Sequence, residues 1–392
     1  MSNESRKKVA LGNLCYPPVG QIQVVDDALI DYIDISSVSN ESKSITGYQT
    51  LRFSEAPSRA RKPLKKDSIL VSTVRPNLNA VALFDFETQN TPVASTGFCV
   101  LDCKEEVDPR FVFNFCKSQT FISDMVSQAT GASYPAVSDK IVRTALIPEY
   151  SYKEQCVISS VLEKIAHIID NRKKQLAALD DLIKARFVEL FGDCRLNPKG
   201  WKTVPLGDIA EVGSSKRVFV EELKESGIPF YRGTEVGALA EGKRVIPELF
   251  ITEDHYDELV KATGKPEPGD LLMPSICPDG RIWVVDTDEP FYFKDGRVLW
   301  VHGIDTSFDP VFLLYTLKDR IMTDYGSIAS GTTFAELKIF ALKQCQVFAV
   351  PIEEQRSFAA FITQVDKSKV VIQKALDEAQ ILFDSLMQKY FG

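Results

Sequence analysis

The sequence predicts a mixed α/β (α+β) protein, in which two tandem globular domains are separated by two long antiparallel helices that form an intramolecular coiled coil, in a pseudo-twofold repeat. Three observations predict this fold. Long helical patterns run from about Lys153 to Phe191 and from about Glu353 to Phe391, the second 200 residues after the first without a gap. Neither contains Gly or Pro, and apolar residues recur in steps of three and four, which is typical of a coiled coil. The β-rich segments that precede the helices also occur twice, in the same order.

Strands and short helices are predicted at matching places in the two halves. Strands are expected where turn-type residues lead into β-rich runs. Asp108-Pro109 and Asp309-Pro310 each have the pattern of an N-cap followed by proline, and each is expected to open a helix of about 20 residues. The predicted strands are Tyr32–Val38 and Lys66–Ser72 in the first half, and Pro229–Val236 and Gly269–Ser275 in the second.

These landmarks divide the chain into four segments. Residues 1–150 are expected to form the first globular domain, and residues 151–193 the central long helix. Residues 194–350 form the second domain and residues 351–392 the C-terminal long helix. Asn197-Pro198-Lys199-Gly200 is rich in turn residues and marks the boundary between the halves.

The apolar stripe of each long helix is expected to form the seam between the two helices and to dock partners. Phe187, Val188, Leu382 and Phe391 lie beside the stripe, so the apolar surface is wider than one seam requires, and a partner helix is expected there. A seam without any docking role is the alternative. The stripe residues are Ile158, Val161, Ile165, Leu176, Leu179, Ile183, Phe187, Leu190, Phe358, Phe361, Val365, Ile372, Leu376, Phe383 and Leu386.

Composition excludes several classes of protein. The chain is 44% hydrophobic and 26% charged, which is ordinary for a soluble globular protein. Its net charge of −8 argues against non-specific nucleic-acid binding, so any DNA contact must come from local basic patches. No apolar run approaches the roughly 20 residues of a membrane span, and the N-terminus lacks the apolar core of a signal peptide. We expect a cytoplasmic protein with no membrane partner, whose eight cysteines are reduced thiols.

Catalytic motifs are missing from the sequence. It contains no G-x-x-x-x-G-K-[ST] phosphate loop, no G-x-S-x-G elbow and no Asn/Asp-Pro-Pro-aromatic tetrapeptide of adenine methyltransferases, and only three histidines. Cys99 and Cys103 have a spacing that would suit zinc, but no second pair or nearby histidine completes a metal site. The chain is therefore expected to bind rather than to catalyse, and to hold no metal.

Basic and polar residues mark candidate DNA contacts. The strongest patch is predicted to be a mobile loop whose cations neutralise phosphates, although a solvated loop without a partner is the alternative. Arg75 and Asn77 are candidates for base edges, since Arg pairs with guanine and Asn with adenine, but a purely structural turn fits them equally well. The patch contains Arg52, Arg59, Arg61, Lys62, Lys65 and Lys66, and the second half offers Lys216, Arg217, Arg232, Lys243, Arg244 and Arg281.

Two polar loops occupy matching positions after the predicted short helices. They are Gly131–Tyr134 and Gly331–Phe334. Their hydroxyl groups are suited to phosphate, and a simple helix stop fits them as well.

Several ordered motifs resemble the specificity (S) subunits of type I restriction–modification enzymes. Leu179–Asp193 is similar to the end of the central conserved helix of that family, and Asp67–Asn77 is similar to a segment of its target-recognition domains. The resemblance covers nearly the whole chain, including the tandem order. The segment Trp201–Ile209 is also similar to that family. So are the Pro–Glu–Gln sets where the long helices begin: Pro148, Glu154 and Gln155 at the first, and Pro351, Glu354 and Gln355 at the second.

The resemblance implies a non-catalytic DNA-reading subunit. Each globular domain would be a target-recognition domain that reads one half of a bipartite site in double-stranded DNA. The helices would set the spacing and dock two modification (methyltransferase) subunits, and restriction (motor and nuclease) subunits would complete the enzyme. No cofactor is then expected in this chain, because S-adenosylmethionine belongs to the modification subunits and ATP to the restriction subunits.

The length of the helices suits such a spacer. About 37 helical residues at about 1.5 Å each span on the order of 55 Å, or about one and a half turns of B-DNA. The alternative function is a tandem-repeat coiled-coil scaffold that binds protein and no DNA.

Overall fold

The computed structural model describes residues 6–18, 20–22, 27–331 and 335–392. The chain divides into two compact units. Residues 1–175 and 372–392 form unit 1, and residues 176–371 form unit 2. Each unit therefore combines one globular lobe with half of each long helix.

Unit 1 begins with a lobe of short strands and helices that leads into the first long helix. Its elements in chain order are β1 (Lys8–Ala10), α1 (Leu11–Leu14), β2 (Leu29–Ile33), β3 (Val38–Ser39), β4 (Ser44–Ile45), β5 (Gln49–Arg52), β6 (Ala60–Pro63), β7 (Ser68–Ser72), β8 (Val81–Phe84), β9 (Thr91–Ser95), β10 (Phe98–Leu101), α2 (Pro109–Cys116), α3 (Gln119–Gln128), α4 (Asp139–Thr144), β11 (Leu146–Pro148) and α5 (Tyr152–Phe191).

Two sheets and a closing strand pair form the lobe of unit 1. The first sheet has the order β5-β2-β9-β6, in which β2 and β9 are parallel. The second is antiparallel with the order β10-β7-β8. β1 pairs antiparallel with β11, with Val9 opposite Ile147. This pair joins the two ends of the lobe directly before α5.

Unit 2 contains the second lobe and repeats this plan. Its elements after α5 are β12 (Thr203–Pro205), β13 (Glu211–Gly213), β14 (Ile228–Tyr231), α6 (Gly233–Ala240), β15 (Phe250–Ile251), α7 (Glu253–Thr263), β16 (Leu271–Pro274), β17 (Trp283–Val284), β18 (Tyr292–Phe293), β19 (Val298–His302), α8 (Pro310–Ile328), β20 (Ala329–Ser330), β21 (Glu336–Leu337), α9 (Ile339–Lys343), β22 (Gln346–Phe348) and α10 (Ile352–Phe391).

The sheets of the second lobe correspond to those of the first. β12 pairs with β22 as β1 pairs with β11. The order β19-β16-β17 matches β10-β7-β8, and β14 lies parallel to β18 as β2 lies parallel to β9. The two lobes therefore share a common core, as the repeat in the sequence predicts.

Both long helices are confirmed to within a residue of their predicted starts. α5 and α10 each contain 40 residues. Gly192 ends α5 with a positive φ of 86°, a conformation that glycine adopts without steric penalty. Among the described residues, no helix combines the length and the apolar character that crossing a membrane requires.

The aspartate caps are confirmed, but the helix that follows differs between the lobes. The Asp108 carboxylate accepts a hydrogen bond from the Arg110 amide, and that of Asp309 accepts one from the Val311 amide. In unit 2 the expected helix of about 20 residues forms as α8, which has 19 residues and a kink at Asp324. In unit 1 it is divided into α2 and α3 because Ser118 caps a new helix, its hydroxyl accepting from the Phe121 amide at 3.2 Å.

Two predicted strands are shorter than the sequence indicated. The strand at Tyr32–Val38 ends at Ile33, where a 3-10 turn begins. The strand at Pro229–Val236 ends at Tyr231, and α6 follows. The Glu235 carboxylate accepts a hydrogen bond from the Arg232 amide at 2.8 Å, which stabilises a helix start where a strand was expected.

The long helices pack against each other through aromatic side chains in unit 2. The ring centroid of Phe358 lies 5.6 Å from that of Phe187 and 5.5 Å from that of Phe191. Farther along, the Lys369 ammonium contacts the Asp180 carboxylate at 2.6 Å. Contact positions rise along α10 as they fall along α5, so the helices are antiparallel here. Phe312 of α8 joins the same core cluster and connects the helix pair to its lobe.

The same arrangement recurs in unit 1 with the helix halves exchanged. Ile158 and Leu162 of α5 share a core cluster with Met387 and Phe391 of α10. The Phe391 ring lies 5.3 Å from Phe111 of α2. Phe187 and Phe391 are thus buried by their own units, contrary to the expectation that they widen an exposed face, whereas Val188 and Leu382 are each 51% exposed.

A buried glutamine connects the first turn of each long helix to its lobe. The Gln155 carbonyl oxygen accepts from the Asp108 amide at 3.0 Å, and its NH₂ group donates to the Tyr150 carbonyl at 2.8 Å. Gln355 accepts from the Asp309 amide at 2.9 Å and donates to two backbone carbonyls. Each glutamine thus fixes the start of a long helix to the N-cap of a lobe helix.

Candidate nucleic-acid interface

The loop between β7 and β8 has a strained and well-supported backbone. Arg75 and Asn79 adopt left-handed conformations with φ of 50° and 48° around a 3-10 turn. Such conformations are unfavourable for residues other than glycine and persist where the surroundings enforce them. The Asn79 side chain donates to the Cys116 carbonyl at 2.9 Å, and the Lys43 ammonium donates to the Asn79 carbonyl at 2.6 Å. The loop is therefore held in one conformation.

This loop presents a polar and aromatic surface to solvent. The Arg75 amide donates to the Pro135 carbonyl at 2.7 Å, and its guanidinium lies 4.9 Å from the centroid of the Tyr134 ring. Tyr134 is 69% exposed and Leu78 is 44% exposed. With the exposed Asn77 these residues form what we name the hairpin-tip cluster: Arg75, Asn77, Leu78 and Tyr134.

Tyr134 belongs to the cluster although the sequence indicated only a polar loop around it. An isolated β-bridge between Val74 and Ala136 brings the two loops together. This bridge joins residues far apart in the chain, so no local pattern reveals it. The matching loop of unit 2 includes Thr332–Phe334, which lie outside the described residues.

The basic segment of unit 1 is only in part the loop that the sequence suggested. Arg52 ends β5, and Arg61 and Lys62 lie in β6. These strands are the two edges of one four-stranded sheet. Cationic side chains are common on edge strands, where they discourage pairing with other chains.

The cations of this segment differ in their freedom to meet a phosphate. Arg52, Arg59 and Lys65 have side chains that are 57–59% exposed and make long ion pairs of 3.6–3.8 Å. Such surface ion pairs are weak, so another anion easily replaces the carboxylate. The Arg61 guanidinium donates to its neighbouring carbonyl and lies over the ring of Phe53 at 5.0 Å, and Lys66 is exposed.

Lys62 is engaged inside the lobe. Its side chain is only 17% exposed, and its ammonium contacts the Asp139 carboxylate at 2.5 Å. It also donates to the Phe98 carbonyl at 2.7 Å. Releasing it to a phosphate would break both interactions.

The candidate cations of unit 2 lie beside carboxylates. Arg217 pairs with Asp295 at 3.1 Å, Lys243 with Glu241 at 2.5 Å, and Arg281 with Asp279 at 2.8 Å. Lys216 and Arg244 are exposed. The surface chemistry of this lobe therefore differs from that of the first lobe.

Arg232 and Glu235 form the strongest of these pairs. Burial raises the pKa of Glu235, but hydrogen bonds from Arg232 and Thr234 outweigh it and lower the pKa to about 2. Arg232 also pairs with Glu248 at 3.3 Å. Glu235 caps α6, so this pair stabilises the start of that helix. Arg232 would have to break its ion pair with Glu235 in order to bind DNA.

The two lobes also differ at the tip of the corresponding hairpin. In unit 2 the β16–β17 connection carries Pro278, Asp279 and Gly280 where unit 1 has Arg75, Pro76 and Asn77. The corresponding hairpins thus differ in charge, with Asp279 in one lobe and Arg75 in the other, and in backbone, with the positive φ at Gly280 in one and at Arg75 in the other.

Comparison with known proteins points to one family. Residues 198–380 match the family described as the type I restriction modification DNA specificity domain. The chain is similar to the specificity subunits of type I restriction–modification systems. It is 24% identical over 348 residues to the MjaIX specificity subunit of Methanocaldococcus jannaschii, covering 83% of the present chain and 76% of that protein.

Solved structures share the fold of this chain. One is the S subunit of a type I system from M. genitalium, with a TM-score of 0.60, 15% identity, and coverage of 100% of this chain and 98% of that chain. The other is a structure described as the basis of complex assembly and conformational transition of the type I R-M system. Its TM-score is 0.60 and its identity 23%, with coverage of 100% of this chain and 99% of that chain.

The two long helices carry exposed apolar residues outside the seam. Val157 is 57% exposed and Ile168 is 47% exposed on α5, while Val370 and Ile381 of α10 are 68% and 70% exposed. An open surface follows one side of the first turns of α5. It is lined by Tyr152, Lys153, Cys156, Val157, Ser160, Val161 and Lys164.

Proposed function

We propose that this chain is a specificity subunit that directs a type I complex to a bipartite site in double-stranded DNA, each lobe reading one part, and that it has no catalytic activity of its own. The hairpin-tip cluster is the observation that carries the proposal. It places a guanidinium, an amide and an aromatic ring on a rigid support, and the second lobe has different residues at the same hairpin. Different surfaces on a shared scaffold suit two different half-sites.

Arg75 and Asn77 have the chemistry of base readers. An Arg that binds guanine through two hydrogen bonds and an Asn that does the same with adenine each contribute about 1–3 kcal/mol of discrimination. Stacking on Tyr134 orients the Arg75 guanidinium before DNA arrives, so less side-chain entropy is lost on binding. The exposed cations of β5 and of the β6–β7 connection would supply sequence-independent attraction to phosphates.

The exposed apolar faces of α5 and α10 suit a partner protein. Isolated exposed residues such as Val157, Val370 and Ile381 are common, but here they recur along helices whose seam is already filled. We propose methyltransferase subunits as the partners, with restriction subunits joining the complex. Two similar proteins support this: one is a specificity subunit of a type I restriction enzyme, and the other comes from work on the assembly of such a system. S-adenosylmethionine and ATP would then be bound by the partners.

Adenine methylation mapped across host DNA tests base reading. The subunit is expressed with its methyltransferase in cells that lack other methylation systems, as wild type, Arg75→Lys and Lys66→Ala. Arg75→Lys keeps the charge but loses the two-pronged hydrogen bonding, so one position of one half-site should become degenerate. Lys66→Ala should lower methylation uniformly and leave the motif intact.

The outcomes separate the proposal from the scaffold alternative. An unchanged motif in Arg75→Lys and in Arg75→Ala, at normal methylation levels, would exclude Arg75 as a base reader. If methylation did not depend on this chain at all, a protein-binding scaffold would be the better account. A residue added to one long helix should change the accepted spacer and keep both half-sites.

A further inference from the structure

Two cysteines of unit 1 face each other across a short antiparallel bridge. Cys15 follows α1 and Cys103 follows β10. The Tyr16 amide donates to the Asp102 carbonyl at 2.8 Å, and the Lys104 amide donates to the Leu14 carbonyl at 3.0 Å. Because these bonds flank the cysteines, the two form a non-hydrogen-bonded pair, whose Cα atoms lie about 4.5 Å apart. A disulfide requires a separation of about 4.4–6.8 Å, so the backbone admits one.

The surroundings of the pair favour a thiolate on Cys15. The hydrogen bond between the two thiols lowers the pKa of Cys15 and raises that of Cys103 well above its usual value. The charges of Arg143 and Lys104 also lower the pKa of Cys15, whereas burial and the charge of Asp102 raise it. The thiolate is the nucleophilic form of cysteine. Cys15 is buried, whereas Cys103 is partly exposed, so an external reagent reaches Cys103 first.

The corresponding segments of unit 2 show that this place in the fold does not require cysteine. The Asp305 amide donates to the Ile209 carbonyl at 2.8 Å, as the Lys104 amide donates to Leu14. The residues at the positions of Cys15 and Cys103 are Ala210 and Ile304. Two apolar residues of one core cluster thus occupy the matching positions in the second lobe.

We propose that Cys15 and Cys103 are a reversible oxidation site that forms an intramolecular disulfide with small-molecule disulfides as the oxidant. The Cys15 thiolate takes the proton of Cys103 through their hydrogen bond, and the Cys103 thiolate so formed attacks one sulfur of the reagent and releases one small thiolate, which takes that proton from Cys15. The Cys15 thiolate then attacks the Cys103 sulfur and releases the second. Two protein thiols become one disulfide, the reagent is reduced to two thiols, and the two protons from the cysteines end on these products.

The same geometry makes the bond reversible and selective. A Cα separation near the lower limit strains a disulfide, and strained disulfides are reduced more easily. Burial raises the pKa of Cys99 to about 12 and that of Cys116 well above its usual value. Neither of these thiols is hydrogen-bonded to the Cys15 thiolate, so both remain protonated and react slowly by comparison with Cys103.

Peptide mapping of the full chain tests the site. The native protein is incubated with glutathione disulfide, its remaining thiols are alkylated in denaturant, and its tryptic peptides are identified by mass spectrometry. We expect a linked pair of peptides containing Cys15 and Cys103 that dithiothreitol separates. Cys99 shares a tryptic peptide with Cys103, so the Cys99→Ala variant is mapped in parallel and should give the same link.

A matched variant connects the bond to stability. Cys15→Ala/Cys103→Ile installs the pair found in unit 2, so it should fold. The disulfide encloses most of the first lobe, and oxidation should raise the melting temperature of the wild type by roughly 5–10 °C and leave that of the variant unchanged. Any one of three results would overturn the proposal. They are retention of all eight free thiols, glutathione that stays on Cys103 without transfer to Cys15, and a link that requires Cys99.

Discussion

The buried glutamines at the starts of the long helices allow a quantitative prediction. Gln155→Met keeps the size and helix propensity of the side chain but removes its hydrogen bonds. The Asp108 amide and the Tyr150 carbonyl then lose their partner. An unsatisfied buried backbone group costs about 1–3 kcal/mol, so we expect unit 1 to lose about 2–4 kcal/mol.

The second glutamine should matter more. Gln355 is fully buried and satisfies three backbone groups: the Asp309 amide and the carbonyls of Ser307 and Val350. Gln355→Met should therefore destabilise unit 2 by about 1 kcal/mol more than Gln155→Met destabilises unit 1. For units of this size the melting temperature falls by about 2–4 °C per kcal/mol.

Hydrogen exchange with mass spectrometry locates each effect, and calorimetry measures its size. The amides of Asp108 and Asp309 should lose protection in their respective variants. Gln364→Met, at an exposed position of α10, is the control and should change neither quantity. If both buried variants were as stable as this control, or if Gln155→Met were the more harmful, the glutamines would not act through these hydrogen bonds.

Two further predictions concern the core and the acid stability of the lobes. Phe191→Ala should destabilise unit 2 by about 3–5 kcal/mol because the fully buried Phe191 ring packs among other aromatic rings. Val188→Ala, at an exposed position of the same helix, should cost less than about 0.5 kcal/mol. Urea unfolding measures both free energies, and equal losses would contradict this packing. Burial raises the pKa of Asp31, but hydrogen bonds from Thr50 and Asn90 outweigh it and lower the pKa below the usual value of 3.8. Asp31 thus stabilises unit 1 above the unfolded-state pKa, and this contribution is lost as pH falls through the folded-state pKa. Melting temperatures of wild type and Asp31→Asn should differ most near pH 7 and converge below about pH 4, and a difference that stays constant with pH would refute this role of the charge.

The repeated architecture could be predicted because its signals are local. Helical periodicity is visible over a few turns, and the 200-residue offset shows both copies. The caps at Asp108 and Asp309 likewise depend on residues within one turn. These features agree with the structure because tertiary packing reinforces the local preference.

The incorrect expectations arose at segments where another structure competes with the one that the sequence indicates. Pro229–Val236 reads as a strand, but the Arg232–Glu235 pair starts a helix inside it. The basic segment reads as a loop from its prolines and charges, although Arg61 and Lys62 lie in β6, paired with β9. Pairing with a distant strand overrides composition there.

The residues that form the candidate interface were largely visible in the sequence, but their arrangement was not. Arg75 and Asn77 stand out by their chemistry, yet their meeting with Tyr134 depends on the bridge at Val74 and Ala136. Cys15 and Cys103 likewise become neighbours only through pairing of distant segments. Local sequence determines which elements form, because their backbone interactions are between near neighbours. Only the tertiary structure decides which side chains meet, because strand register and core packing join positions that no sequence period relates.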